Sequence, residues 1–467
     1  MKEDVLFAGA GIADITPPPG AHLAGDGMGL HRPARRIYEP LLAKALVLKK
    51  GNTQLCIISA DLLCITLEYS LRIKKEIKEK YGIPCECVMI HVEQNHSAPS
   101  LGMMMLDPEF PLGNNVEKEY IGGSESAYCE FAVNKIIKAV DKAYNDFSPV
   151  KIEWGRGVCD GVSFNRRGVM RNGKITMPWF YKKHDFPVGP AHILYMEGPS
   201  DPEIGIIRLH GKTRDIFLLN FACHPVNVFA TNKFAVSADW PGALSLYMQQ
   251  KIKGCVPVVL NGCCGNLNPW PPFTPDFVPD YKKMGFKLGT VSYEVIKKAM
   301  NVSRDMSLDF RSKEIFLDYR DVPYERKKEA EKILKESKGI KWNSMKNEVD
   351  VNWFYAASTK SIELCRKRWR RFPYTVQVFR VGNCAIVGLP GEPFVEGQLE
   401  IKMNSPASLI CVAHMCNQYV GYIPTRQAAM RGGHEANEIY TYWAKLAPDS
   451  LDVIVKNVKE MIEELFK

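Results

Sequence analysis

Residues 87–100 read CVMIHVEQNHSAPS. An apolar run leads into Gln94 and His96, and Ser-Ala-Pro then breaks the chain. On a strand, residues two apart point to the same face. Gln94 and His96 are therefore expected to look into one site, at the carboxyl end of a buried strand. A hydrogen-bonded turn is the simpler account of this stretch alone, so its meaning depends on what surrounds it.

Working outward, the pattern alternates. LLAKALVLKK and TQLCIISAD are apolar strands with Gly51-Asn52 between them as a hairpin turn. LEYSLRIKKEIKEKYG has helical spacing and stops at Gly82. CECVMIHV is the next strand, a helix follows within 123–145, and PVKIEWG is a further strand. This β-α-β order predicts an α/β fold of mixed β-sheets with surrounding helices. Residues 157–200 are loop-rich. EIGIIRLHG and DIFLLNFACH are strands, a helix begins near DWPGALSLYMQQ, and VPVVLNGCCGNLNPW runs from a strand into a glycine-rich turn. YTVQVFRVGNCAIVGLPGE reads as a hairpin, SLICVAH as a last strand, and 437–466 as a terminal helix. With no repeat and no long linker, residues 1–467 are expected to form one catalytic domain, with a basic helical insertion at about 324–371.

Composition narrows the class. No apolar run approaches the roughly 20 residues of a membrane span. The start, MKEDVLFAGAG, is acidic where a secretory signal is basic, so a cytoplasmic protein is expected. The 14 cysteines include no CxxC pair, and many sit inside apolar strands, as buried free thiols in a reducing compartment would. Net charge is +9, much of it within 324–371. A solvated helical pair explains that charge best; docking onto an anionic membrane or an acidic partner is the alternative. Nucleic acid is not expected, because no binding motif accompanies the charge.

Five strand ends carry groups capable of chemistry: EQNHSAP; FACHPVNV with His224; LNGCCGNLNP with Asn266 and Asn268; GLPGEPF, where Glu392 ends a buried strand and begins a helix; and NQYVGYIPT with Tyr419 and Tyr422. Sites in α/β sheets form outside the carboxyl ends of strands. Together the five predict one convergent site, although a core histidine or a helix-start carboxylate accounts for any one of them.

In order and spacing these motifs resemble the neutral, non-lysosomal ceramidases and their bacterial relatives. GIADITPPPG resembles the family's opening signature, HVEQNHSAP its T-H-T-H-S-G-P segment, and FNRRG its N-R-S stretch. FACHPVNVFATNKFAVSADWPG is similar to F-A-x-H-x-x-S-M followed by S-x-D-N-x-G. GCCGNLNP resembles G-D-V-S-P, LPGEPF resembles P-G-E-F, and YIPT resembles Y-I-T-T, with His434-Glu435 where the family has Y-E. The likeness runs from residue 7 to about 440, without the family's C-terminal immunoglobulin-like module.

The resemblance implies a hydrolase of an amide (N-acyl) or ester bond that depends on one divalent metal, zinc in that family, and acts on a small or lipid-like substrate by attack of metal-bound water. It carries the metal onto His224, Glu392 and Tyr422, places Gln94 at the first histidine ligand and His96 at the second histidine, and makes Arg166 the arginine of N-R-S, facing an anionic or carbonyl group. Three positions depart from the family. Gln94 offers an amide in place of imidazole, a poorer zinc ligand that His96 could replace. Asn268 stands at the family serine and is expected to donate to an oxyanion. His434 stands at a tyrosine, and it or His96 is expected to move the proton to the leaving group. Cys263 or Cys264 as a nucleophile is the lesser alternative. A non-catalytic relative that binds a metal or small ligand is the second reading.

Overall fold

The computed structural model describes residues 5–467 apart from 26–30, 113–119, 122, 179–190, 275, 338 and 345–347. Its main element is a nine-stranded mixed sheet. The strands run in the order Val256–Asn261, Asp215–Phe221, Glu203–Gly211, Ser148–Val158, Phe7–Asp14, Leu42–Lys50, Thr53–Ala60 and Val88–Val92, with Asn301–Val302 pairing on Ser148–Val158. Most neighbours are antiparallel, but the pairs at both edges, Thr53–Ala60 with Val88–Val92 and Asp215–Phe221 with Val256–Asn261, are parallel. Both edge strands are buried along their whole length, as their unbroken apolar sequences require.

The hairpin of Leu42–Lys50 and Thr53–Ala60 forms as expected, with Gly51 at φ 54° in its turn. Helix Leu67–Tyr81 buries Ile73 and Ile77 one turn apart and ends at Gly82, whose φ of 69° suits a residue without Cβ. Helices Ser126–Tyr144 and Asp239–Lys251 also lie where their spacing predicts.

A second sheet, Leu308–Leu317, Phe372–Val381, Cys384–Gly388 and Leu409–Ala413, carries the predicted hairpin and ends in a parallel pair. Asn220 stitches it to the first. Its Nδ2 donates to the carbonyls of Leu260 at 2.8 Å and Val412 at 2.7 Å, and its Oδ1 accepts the Val412 N–H.

The two edges of the large sheet meet. Ser59 Oγ donates to the Val259 carbonyl at 2.7 Å. His91 is fully buried between carbonyl and amide: its Nδ1 lies 2.7 Å from the His414 carbonyl, and its Nε2 accepts the Asn261 N–H at 3.0 Å. A carbonyl only accepts, so Nδ1 carries the proton and the ring is neutral. Burial, which pulls its pKa down to about 4, agrees. The Asn261 side chain completes this knot, donating to the Glu93 carbonyl at 2.9 Å and accepting the Cys223 N–H at 3.1 Å. The Asn261 carbonyl accepts from His414 N. The chain ends leaving four parallel strands are thereby drawn to one place.

Several expectations need correction. Cys85–Cys87 is a 3-10 turn and the strand stops at Val92, so Gln94 and His96 lie in the following turn rather than on one pleated face. Gln94 has φ 61°, an uncommon left-handed conformation for a side-chain-bearing residue. Glu392 does not begin a helix: Gly391 turns the chain at φ 70°, Glu392–Pro393 forms a short bridge beside Tyr422–Ile423, and the helix starts at Val395. That bridge also means Leu409–Ala413 is not the last strand. The terminal helix spans Ser450–Phe466 only, because Tyr440 at φ 58° and Pro448 interrupt 437–449. Helix Tyr281–Lys298 and strand Leu308–Leu317 were not anticipated.

The basic segment is a helical pair, Tyr324–Ser337 and Val351–Arg368, which buries Ala330, Trp353, Phe354 and Ala357. Its cations are partly answered within the chain: Arg368 meets Asp107 at 2.6 Å and Glu109 at 2.8 Å, and Lys360 meets Glu331 at 3.1 Å. No helix among the described residues is long and apolar enough to cross a membrane.

The knot generates a stability prediction. Asn261→Ala leaves the Glu93 carbonyl and the Cys223 N–H buried without a partner, a loss of about 3 kcal/mol. A thermal melt should show a transition several degrees lower than wild type; an unchanged melt would remove the side chain from its structural role.

Candidate active site

All five predicted strand ends open onto one cavity of about 360 Å³. Its floor holds Gln94, His96, Arg166, His224, Asn268, Glu392, Tyr422 and His434, the side chains singled out from sequence for metal binding and catalysis apart from the lesser alternative of Cys263 or Cys264. Its walls are mostly apolar, with Met104, Met105, Met177, Met415, Phe229 and Trp270 among them.

The two histidines are held alike. His96 Nδ1 lies 2.9 Å from the Gly25 carbonyl, and His224 Nδ1 lies 2.9 Å from the Leu267 carbonyl. Each Nδ1 must donate, which leaves the Nε2 lone pair free, and neither Nε2 has a partner. Gly25 suits the arrangement because a Cβ there would come 2.2 Å from the His96 carbonyl oxygen. Burial pulls the His96 pKa down to about 3 and that of His224 well below the ordinary value, so both rings are neutral at pH 7.

Glu392 Oε2 is buried and unpartnered too, 3.5 Å from His224 Nε2. Burial raises its carboxyl pKa, against the hydrogen-bonding influence of Gln94 and the Arg166 charge. The chain can pass this closely because Gly265 lies against it: a Cβ at Gly265 would come 2.4 Å from the Glu392 carbonyl oxygen. Gln94 Oε1 accepts from Cys264 Sγ at 3.6 Å, which turns its amide nitrogen away from that thiol.

These atoms can be tested against a metal. Two ligand atoms on a tetrahedral zinc stand about 3.3 Å apart, and two imidazoles sharing it hold their centroids about 5 Å apart. The His224–Glu392 separation is 3.5 Å and the His96–His224 centroid separation is 5.7 Å. No group of three or more His, Cys, Asp or Glu side chains placed to hold a metal ion occurs among the described residues. The two neutral imidazoles and the carboxylate, with Gln94 and Tyr422 beside them, instead leave three acceptor atoms unpartnered in the cavity lining, and these are the atoms a cation would have to use.

Behind this set lies an ion-pair network that the sequence reading passed over. Arg166 Nε donates to Glu435 Oε1 at 2.9 Å, Arg167 Nη1 donates to Glu435 Oε2 at 2.7 Å, and Arg167 Nε also bonds Glu197. Burial alone would push the Glu435 carboxyl up, but the two guanidiniums and His434 outweigh it and hold the pKa at about 2. Glu435 was visible in the His-Glu pair, and Arg167 in FNRRG, but only the fold shows that they clasp. Arg166 Nη1 reaches Asn268 Oδ1 at 3.5 Å, and its guanidinium carbon stands 5.4 Å from the Tyr422 ring centroid. His434 packs edge-on to Tyr422 at 5.4 Å and is open to the cavity.

Other candidates fall outside the floor. Asn266 bonds Glu396 at 2.9 Å and accepts the Val395 N–H, so it starts a helix. Tyr419 lines the wall. Cys263 and Cys264 are fully buried, their thiols pushed up by burial, and neither lines the cavity, which speaks against the nucleophile alternative.

No protein-family model matches the chain. Among solved structures it is similar to neutral ceramidase from Pseudomonas aeruginosa, with a TM-score of 0.70 and 17% identity over 99% of this chain and 74% of that one. It is similar as well to a ceramidase complexed with C2, with a TM-score of 0.69 and 18% identity over 99% and 75% of the two chains. At that identity the likeness is one of fold, and it bears out the mixed α/β arrangement over nearly the whole chain.

The clasp makes a pH prediction. A carboxylate held at about 2 against an ordinary 4.5 stabilises the fold fully above pH 4.5. That contribution is lost as pH falls from about 4.5 toward about 2. Glu435→Gln should cost about 3–5 kcal/mol at pH 7, because it leaves buried guanidinium charge uncompensated. It should also flatten the acid limb of a melting-temperature profile; an acid limb as steep as wild type would mean that other carboxylates set it.

Proposed function

We propose that the chain is a metal-dependent hydrolase that cleaves an amide or ester bond of an N-acyl or related substrate. One observation carries the reading: three buried acceptor atoms, His96 Nε2, His224 Nε2 and Glu392 Oε2, lack partners at the floor of an apolar-walled cavity. Unpaired buried polar atoms are costly, and native proteins keep them where a ligand or ion answers them. The fold shared with two ceramidases supports the same chemistry.

In this reading His96, His224 and Glu392 hold the metal and Tyr422 closes the set. Gln94 serves as a donor that orients Glu392, since its oxygen is engaged by Cys264. Zinc, suited to imidazole and carboxylate donors, would polarise the scissile carbonyl and bring the pKa of water to about 7. The chain supplies the rest. Asn268 has its Oδ1 turned to Arg166, which leaves its amide N–H groups for the developing oxyanion. His434 can carry a proton to the leaving group, because His96 is occupied at both nitrogens. With no hydroxyl at position 268, no acyl-serine forms there. The apolar walls take the acyl part and keep water from it.

Gln94 and Asn268 favour a second reading, a relative that binds metal without turnover. Elemental analysis of protein purified without chelator, paired with an N-acyl substrate panel, separates the two. About one zinc per chain is expected. His224→Ala and Glu392→Ala should lose it. Asn268→Ala should keep it and turn over roughly a hundred- to a thousandfold more slowly. Metal retained by both ligand variants would misplace the site; metal present with no turnover on any substrate would favour the second reading.

A further inference from the structure

We infer that the amine half of the substrate carries a carboxylate, so that the site takes N-acyl amino acids in preference to neutral N-acyl amines; this rests on the hydrolase reading above. The feature behind it is Arg166. Its side chain is 6% exposed, lines the cavity, and has Nε on Glu435 and Nη1 toward Asn268, while Nη2 has no partner. A buried guanidinium nitrogen left unpaired beside a cavity is costly unless a bound group answers it.

The local charge narrows that group. Glu435 is shared between Arg166 and Arg167, and the second carboxylate near them, Glu197, bonds Arg167 and Arg431. Arg166 therefore shares its one bonded carboxylate, and the other acid that feels its charge, Glu392, is not bonded to it. The cavity face formed by Arg166 Nη2 and the Asn268 amide is rich in donors, with the Tyr422 hydroxyl beside Arg166 as the acceptor there. A hydroxyl-bearing amine would bring donors to that face, whereas a carboxylate brings two acceptor oxygens and a charge. Arg166 Nη2 and one Asn268 N–H match two planar oxygens, the other Asn268 N–H serving the oxyanion, and the charge on the guanidinium strengthens such a bond. A phosphate would need more donors than this face offers.

Position narrows it further. Tyr422 separates the two functions: its backbone bridges Glu392 on one side, and its ring faces the Arg166 guanidinium on the other, 5.4 Å from guanidinium carbon to ring centroid. Arg166 and Glu392 thus flank the same residue, which sets a carboxylate on Arg166 beside a carbonyl at Glu392 and His224. An α-amino acid amide carries its carboxylate and its amide on one carbon, the compact arrangement such a site would take.

The test compares N-dodecanoylglycine with its isostere N-dodecanoylglycinamide on the purified enzyme, which needs no mutation. Titration calorimetry and hydrolysis are read in parallel. The acid should bind, and be hydrolysed with a kcat/KM, about ten- to a hundredfold better than the amide. Arg166→Lys keeps the charge beside Glu435 and so keeps the fold, but it should erase most of that preference in binding, read as the ratio of the two dissociation constants. Equal or better handling of the glycinamide, or of N-dodecanoylethanolamine, would overturn the inference and leave the hydrolase reading intact. A carboxylate preference in binding with no hydrolysis would uphold the ligand class and remove the hydrolase reading. A preference unchanged in Arg166→Lys would overturn the assignment to Arg166.

Discussion

The His91 ring donates to the His414 carbonyl and accepts the Asn261 N–H, and the site hangs on that pair of bonds. His91 belongs to one edge strand of the large sheet, Asn261 to the other, and His414 follows the last long strand of the second sheet. Without the knot, the Ser59 hydroxyl on the Val259 carbonyl would be left as a polar tie between the two sides of the sheet. With it, the turns that carry Gln94, His96, His224, Asn268, Glu392 and Tyr422 leave their strands side by side. The ring has to be neutral to serve both bonds, and burial keeps it so by outweighing the bond to the His414 carbonyl, which alone would raise its pKa.

The site itself separates two electrostatic tasks. Near Glu392 the polar atoms are acceptors with spare lone pairs: two neutral imidazoles and a carboxylate. Near Arg166 they are donors with spare protons. The Glu435 clasp holds the boundary between them by fixing both arginines without neutralising either. An acceptor set suits a cation and a donor set suits an oxygen-rich group. Both can be satisfied at once by a substrate lying between them, with its apolar part along the methionine and aromatic wall.

Much of this was legible in the sequence, for identifiable reasons. Strand ends with His, Asn, Glu and Tyr after unbroken apolar runs are readable because buried strands leave no other place for such groups. The hairpins and the helix ending at Gly82 were readable because turn and cap residues are local signals. Gln94 and His96 reached the same cavity by a different route from the one their spacing suggested, because a left-handed backbone at Gln94 replaces the strand pleat, and nothing in the residue type announces that. Helix Tyr281–Lys298 was missed. Glu435 and Arg167 could be seen as residues but not as partners, since they lie 268 positions apart and only the fold joins them. The His91 knot was hidden in the same way, its polar ring sitting inside an otherwise apolar strand.

A crystal grown with zinc and measured on both sides of the zinc absorption edge tests the central claim most directly. The account predicts one anomalous peak bounded by His96 Nε2, His224 Nε2 and a Glu392 oxygen, with Gln94 turned toward the carboxylate and not toward the ion. A peak at Cys264 and His414, or none inside the cavity, would contradict it.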